Sequence, residues 1–218
     1  MSVVEESALR FGRAFSEEIQ AALRNLDYVR IARVAALLYS AKEQGRQLFF
    51  FGNGGSHAIA SHLACDFGKG TKLAGRREQR FYKAFALDNA AWLTAQANDG
   101  AEPFIKGGHS GSYTHGYDGV FVGQMENFIA EGDVAFGISS SGSSPNVVNA
   151  LLYARDKGAT TVALVGFDGG KAAQIAEHVI LVATQRGMYG VVESVHAVVH
   201  HMLYEFAMKL ERENIETA

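Results

Sequence analysis

From residue 47 onward, short apolar runs alternate with helical segments, and this alternation constrains the fold more than any other feature of the chain. The first run, Gln47–Gly52, reads QLFFFG and lacks the alternating polar side chains of a half-exposed strand. Strands that are apolar on both faces are typical of parallel sheets covered by helices on both sides. The sequence predicts five strands: Gln47–Gly52, Phe81–Leu87, Val134–Ile138, Thr160–Val165 and His178–Val182. The helices predicted between and after them are Ser56–Phe67, Ala90–Ala97, Ser144–Lys157, Lys171–Glu177 and Val191–Leu210.

The first 45 residues contain no proline and carry apolar side chains at helical spacing. A turn is predicted at Asn25–Asp27, between two helices. We therefore divide the chain into an N-terminal helical pair, residues 1–45, and an α/β domain, residues 46–218. The pair is apolar on more than one face, so we expect it to form contacts between subunits. The apolar residues concerned are Phe11, Phe15, Ile19, Val29, Val34 and Leu38.

Composition excludes several classes of function. The 218 residues include 20 Lys and Arg against 23 Asp and Glu, a net charge of −3 that disfavours general nucleic-acid binding. The single cysteine, Cys65, excludes an intramolecular disulfide framework and a cysteine-based zinc ribbon. No apolar run approaches the roughly 18 residues needed to cross a bilayer. The acidic N-terminus is unlike a signal peptide. We expect a cytoplasmic protein without membrane or nucleic-acid partners.

Two loops that follow predicted strands are candidates for binding phosphate. The first, Asn53–Gly54–Gly55–Ser56, runs from a strand into a helix, where free backbone N–H groups attract anions. Such a turn is common in α/β proteins, so it is weak evidence alone. The second loop contains Ser139, Ser140, Ser141, Ser143 and Ser144 before Pro145. Ser144 is a natural N-cap and Pro145 suits the first helical position, but capping needs only one of these serines. The sequence therefore favours phosphate binding by Ser139, Ser140, Ser141 and Ser144.

These motifs, GNGGSH at 52–57, LTAQAND at 93–99 and GDVAFGISSSG at 132–142, resemble the sugar isomerase (SIS) domain family, and within it the phosphoheptose isomerases. The resemblance implies a flavodoxin-like three-layer α/β/α sandwich for residues 46–218. It implies a homotetramer with active sites at subunit interfaces, and a metal-assisted isomerisation of sedoheptulose 7-phosphate to an aldoheptose 7-phosphate through an enediol. It also places Asn89 at the substrate.

A candidate metal and acid–base site comes from two predicted helices. His62 and Asp66 are four residues apart and share a face, and Glu193, His196, His200 and His201 crowd the last helix. By helical angle alone, Glu193 pairs with His200, about 20° away, rather than with His201, about 80° away. The resemblance instead implies one zinc per subunit held by His62, Asp66, Glu193 and His201, with His200 as the alternative ligand. It further implies Asp66 as the base and His201 as the partner acid. Without a metal, these groups would form ordinary interhelical hydrogen bonds.

The chain departs from the family pattern at several positions. Asp66 stands in place of a glutamate, Glu193 in place of a glutamine, and Gly190 and Asn89 in place of aspartates. A glycine-rich insertion, residues 100–119, is either an active-site lid offering His109, Tyr113 and His115 or a surface loop. The alternative function is a non-catalytic SIS sugar-phosphate sensor or adaptor of the replication-initiator-associated type. A flavin- or nucleotide-binding protein is disfavoured because the loops are rich in serine and no acidic ribose contact is evident.

Overall fold

A computed structural model describes residues 1–73, 80–98 and 116–213. Within these residues the chain forms one five-stranded parallel sheet with the strand order β2-β1-β3-β4-β5. The strands are β1 (Gln47–Gly52), β2 (Lys83–Ala86), β3 (Val134–Ser139), β4 (Thr160–Gly166) and β5 (His178–Val182). The helices are α1 (Val3–Arg24), α2 (Tyr28–Glu43), α3 (Gly55–Cys65), α4 (Ala90–Asn98), α5 (Val120–Met125), α6 (Pro145–Asp156), α7 (Gly170–Ile175) and α8 (Tyr189–Glu213).

The strand order confirms the flavodoxin-like α/β sandwich. Side chains alternate between two cores across β1: Leu48 and Phe50 join α1, α2, α3 and α8, while Phe49 and Phe51 join α5 and α6 on the other face. All six residues of β3 are buried. The absence of polar alternation in the sequence is thus explained by helices on both faces.

Two features between α4 and β3 were not predicted. Residues Gly116–Gly119 form a short 3-10 turn, and α5 follows with every residue buried. Most of the predicted 100–119 insertion, including His109, Tyr113 and His115, lies outside the described residues.

The predicted helix Ser56–Phe67 ends earlier as an α-helix and continues as a π-helical turn, Asp66–Gly70.

Helices α1 and α2 make up the N-terminal pair, and each begins with a side-chain cap. Ser2 and Glu5 form a capping box at the start of α1, and Asp27 caps α2 by accepting hydrogen bonds from the N–H groups of Val29 and Arg30. Helix α1 packs against α8, and its residue Phe11 is 70% exposed. The pair thus joins the domain while leaving apolar surface uncovered.

A buried ion pair connects the C-terminal end of α8 to α2. The Lys42 ammonium forms a short ion pair with Glu211, lies 2.9 Å from Glu43, and stands over the ring of Tyr39. Burial alone would lower the pKa of Lys42, but the hydrogen bonds to both carboxylates reverse this, so the pKa is raised. Lys42 is therefore charged inside the fold. Among the described residues, no helix has the length and apolar character that crossing a membrane requires.

Candidate active site

The two candidate phosphate loops lie side by side. Strands β1 and β3 are hydrogen-bonded neighbours, and the chain order of the sheet reverses between them. In open parallel sheets, ligands bind at the carboxyl ends of the strands at such a reversal. The loop Asn53–Ser56 follows β1, and the serine loop follows β3. Topology thus brings together two segments more than 80 residues apart in the sequence.

Two asparagines hold these loops together. The Nδ2 of Asn53 donates to Oδ1 of Asn146 over 2.9 Å, and the Nδ2 of Asn146 donates back to Oδ1 of Asn53 over 2.9 Å. Asn146 stands in the first turn of α6 and is 1% exposed. The Asn53 amide, predicted to bind phosphate, therefore has a structural task as well. Asn146 was not predicted, because its partner is distant in the sequence.

The serine loop keeps hydroxyls available for a ligand. Ser144 is the N-cap residue of α6 and Pro145 follows it in the first turn, as predicted, but the Ser144 side chain makes no capping bond. Its Oγ lies 3.4 Å from Oγ of Ser139, which accepts from the N–H of Gly142. The Ser140 hydroxyl is buried and has no partner among the described residues.

The serine loop is packed tightly on the β4–α7 connection. Gly142 has a φ of +61°, and a Cβ there would overlap the carbonyl oxygen of Gly169. The carbonyl of Gly142 accepts from the N–H of Ala172 over 2.7 Å. A residue with a side chain would be both strained and too large at position 142. The contact with Gly169 and the hydrogen bond from Ala172 therefore position the loop against the β4–α7 connection.

Helices α3 and α8 run side by side in the same direction, and this pairing builds the acid–base group. The carboxylate of Glu193 occupies the space beside Gly55, at the start of α3. The ring of Tyr204 occupies the space beside Gly70, beyond the end of α3. Between these contacts lie four side chains whose potential ligand atoms are all within 4.8 Å of one another: His62, Asp66, His200 and His201. The carboxylate Oδ2 of Asp66 lies 2.8 Å from Nε2 of His200 and 3.4 Å from Nε2 of His62.

The three histidines of this group differ in their exposure to solvent. His200 is 1% exposed, whereas His62 and His201 are exposed at the surface. Burial lowers the pKa of His200, and the neighbouring His201 and His62 lower it further, although the hydrogen bond to Asp66 opposes both effects. A neutral imidazole is the form that binds a metal. The group thus has a buried side fixed by His200 and an open side reachable from solvent.

Glu193 lies elsewhere. It was predicted as a metal ligand, but its carboxylate occupies the space beside Gly55, next to the first phosphate loop. Seven residues, or about 10 Å of helix, separate Glu193 from His200 along α8. The structure therefore brings together three of the four predicted ligands, His62, Asp66 and His201. The fourth member of the group is His200, the alternative that helical angle had favoured as a neighbour of Glu193.

The π-helical turn begins at Asp66 itself. π-Helical turns are rare in proteins, and those that occur are often found at functional sites. Phe67, the next residue, is buried against the rings of Phe50 and Tyr82. The turn thus anchors the backbone that carries the Asp66 carboxylate.

His196, one turn before His200, is fully buried, and neither of its ring nitrogens has a partner of normal hydrogen-bond geometry among the described residues. Burial lowers its pKa from 6.5 to about 4, partly offset by the backbone of Val165. Unfolded chains take up this proton near pH 6.5, but the folded protein does not until about pH 4. Above pH 6.5 the buried His196 therefore does not make stability depend on pH. Between pH 6.5 and 4 it lowers the free energy of unfolding progressively as the pH falls.

We expect His196→Phe to flatten the dependence of stability on pH. The free energy of unfolding of the original protein should fall between pH 6.5 and 4, with a contribution from His196 of up to about 3 kcal/mol. Urea titrations at several pH values measure both slopes. Equal slopes for the two proteins would show that His196 does not stay neutral when folded.

Asn89 caps the start of α4. Its Oδ1 accepts from the N–H of Trp92 over 3.0 Å, and its own N–H donates to Gln124. The adjacent Asp88 accepts from the hydroxyl of Ser61 on α3 over 2.8 Å. The predicted substrate residue Asn89 thus lies in a hydrogen-bonded junction between α3, α4 and α5.

One further residue reaches the loops. The hydroxyl of Tyr117, in the 3-10 turn, donates to Oδ1 of Asn53 over 3.0 Å. Tyr117 was not singled out from the sequence, because it lay within a segment read as an insertion.

Comparisons with known proteins find a matching family model and several similar chains. Residues 13–166 match the model of the SIS domain. The phosphoheptose isomerase of Aquifex aeolicus is 35% identical over 201 residues, covering 89% of this chain and 92% of the relative. That of Geobacter sulfurreducens is 39% identical over 170 residues, covering 78% of each chain. The solved phosphoheptose isomerase of Neisseria gonorrhoeae superposes with a TM-score of 0.73 at 27% identity, covering 94% of this chain and 98% of that one.

Proposed function

Because the chain belongs to the SIS domain family, we propose that it is an aldose–ketose isomerase that interconverts sedoheptulose 7-phosphate and an aldoheptose 7-phosphate. The observation that carries this proposal is the group His62–Asp66–His200–His201, which brings a carboxylate and three imidazoles within reach of one another. Its relatives named as phosphoheptose isomerases support the choice of substrate.

The reaction needs groups that move protons. A base removes a proton from C1 of the ketose while O2 gains one, which gives an enediol; C2 then gains a proton and O1 loses one. Asp66 is the candidate base, because its carboxylate is only partly buried and is held by His200. His201 is the candidate acid, since its imidazole is exposed beside the carboxylate. His200 positions Asp66 rather than meeting substrate.

The same group suits a zinc ion. Three imidazole nitrogens and one carboxylate oxygen form a nitrogen- and oxygen-rich donor set of the kind zinc binds, and their atoms are already close. We propose His62, Asp66, His200 and His201 as the ligands; when zinc is bound, His200 would bind the ion in place of its hydrogen bond to Asp66. Bound zinc would polarise the substrate carbonyl and stabilise the charge that develops on its oxygen.

Two variants separate His200 from Glu193 as ligand. His200→Ala should weaken zinc binding by at least about tenfold, because it removes a donor of the group. Glu193→Ala should leave zinc affinity within about threefold, because the Glu193 carboxylate lies beside Gly55 and outside the group. Calorimetric titration of chelator-treated protein with zinc measures both. The opposite order of effects would return Glu193 to the ligand set.

The serine and glycine loops are the proposed phosphate site. The hydroxyls of Ser139, Ser141 and Ser144, with the backbone N–H groups of residues 53–56, can surround a phosphate at the carboxyl ends of β1 and β3. Ser141→Ala should raise the KM for sedoheptulose 7-phosphate by an amount equivalent to about 1.5–3 kcal/mol, the value of a hydrogen bond to a charged group. If the triple variant Ser139→Ala/Ser141→Ala/Ser144→Ala kept its KM, these hydroxyls would not bind the phosphate.

The SIS adaptor or sensor is the second candidate. Its support is the loss of the family aspartates at Gly190 and Asn89. Turnover of sedoheptulose 7-phosphate by the purified protein favours the enzyme, whereas phosphate-dependent binding without turnover favours the sensor.

We also propose that the protein is a homotetramer located in the cytoplasm. The exposed apolar side chains on α1, among them Phe11, support a subunit contact. Light scattering at micromolar concentration should give four times the chain mass of 23.5 kDa. A particle of one chain mass would contradict the assembly.

A further inference from the structure

Tyr117 is held at the junction of both phosphate loops. Its hydroxyl donates to Oδ1 of Asn53, and Asn53 is paired with Asn146 on the serine-loop side. The turn that carries Tyr117 is fixed independently. The carbonyl of Asp118 accepts from Nδ2 of Asn149 over 3.2 Å, and the carbonyl of Gly119 accepts from Nε2 of Gln96 over 2.9 Å. The phenol therefore has a defined place beside the loops.

Tyr117 is also open to solvent, since 56% of it is exposed. The larger part of the side chain therefore faces solvent, although its hydroxyl is held by Asn53. An exposed aromatic side chain at the rim of a ligand site is well placed to contact the ligand.

The hydrogen-bond roles restrict what Tyr117 can bind. A phenol has one O–H donor, and that hydrogen is already directed at Asn53. The oxygen keeps lone pairs and can only accept a further bond. A phosphate dianion offers acceptors alone, so it is not a partner for Tyr117 in this arrangement. A sugar hydroxyl can donate, and it is the partner that fits.

We propose that Tyr117 is a further substrate-binding residue, which accepts a hydrogen bond from a hydroxyl of the sugar chain next to the phosphate. This inference rests on the proposed function, and it names the part of the substrate that Tyr117 recognises. Asn53 then has two linked roles: it joins the loops and orients the phenol.

The variant Tyr117→Phe tests this contact, with Tyr28→Phe as its control. Tyr28 is 54% exposed and also donates one hydrogen bond, to the carbonyl of Leu23 over 3.1 Å, but it lies at the start of α2. Tyr117→Phe should raise the KM for sedoheptulose 7-phosphate about three- to tenfold, the effect of one net hydrogen bond. The inhibition constant of inorganic phosphate should stay unchanged, and Tyr28→Phe should behave as the original protein.

Three results would overturn the inference, and they distinguish its failure from that of the proposed function. If Tyr117→Phe leaves the KM unchanged in an active enzyme, the inference is overturned and the proposed function stands. If it weakens inorganic phosphate as much as the sugar phosphate, Tyr117 only supports the loops, and the inference is again overturned. If the original protein neither binds nor converts the sugar phosphate, the proposed function fails and the inference falls with it.

Discussion

Asp66→Asn should lower kcat for sedoheptulose 7-phosphate by a factor of about 10²–10⁴, the contribution expected of a positioned base. Asparagine keeps the shape of the side chain but removes the charge that His200 and His62 surround. It also removes a proposed zinc ligand. The expected result is a folded protein with almost no turnover, measured by the rate of aldoheptose formation and by circular dichroism.

The control for this variant is Asp156→Asn. Asp156 ends α6 and pairs only weakly with Arg155, 4.0 Å away at the surface. Its replacement should leave kcat unchanged. An Asp66→Asn enzyme that retained a tenth or more of the original kcat would assign the base to another residue.

Lys42→Met should destabilise the fold by about 3–5 kcal/mol, because it removes one partner of a buried ion pair. Lys42 is 3% exposed and Glu211 is 4% exposed. The midpoint of urea unfolding at a fixed protein concentration measures the loss. The double variant Lys42→Met/Glu211→Met should recover much of it, since no buried charge then remains at this contact.

An exposed ion pair on α8 provides the comparison for the buried one. Lys209 and Glu213 lie 3.9 Å apart, with side chains 62% and 47% exposed. Lys209→Met should change the free energy of unfolding by less than about 1 kcal/mol. If Lys42→Met cost no more than Lys209→Met, α8 would not depend on the buried pair for its attachment to α2.

The strands were predictable because burial on both faces leaves a direct mark on the sequence. Gln47–Gly52 and His178–Val182 have the predicted bounds, and the order of the remaining elements follows the prediction. Helix α5 was missed. Its six residues, VFVGQM, are too few to show a helical period, and it follows a segment interpreted as an insertion.

The acid–base group was predictable only in part. His62 and Asp66 share a helix face by spacing alone, so their proximity follows from the sequence. The choice between His200 and His201 and the inclusion of Glu193 depend on the axial position of α8 relative to α3. Tertiary contacts set this position, such as that between Gly70 and Tyr204. Helical angle places Glu193 and His200 on one face but does not say which is level with Asp66. The pairing of Asn53 with Asn146 likewise depends on the adjacency of β1 and β3.

Incubation of the zinc-loaded protein with sedoheptulose 7-phosphate in D₂O, followed by proton NMR, tests the central claim most directly. We predict anomeric signals of an aldoheptose 7-phosphate, with deuterium at C2 where the enediol exchanges with solvent. The same signals should be almost absent with Asp66→Asn. Neither aldoheptose nor deuterium incorporation from protein that contains zinc and binds the sugar phosphate would contradict the assignment as an isomerase.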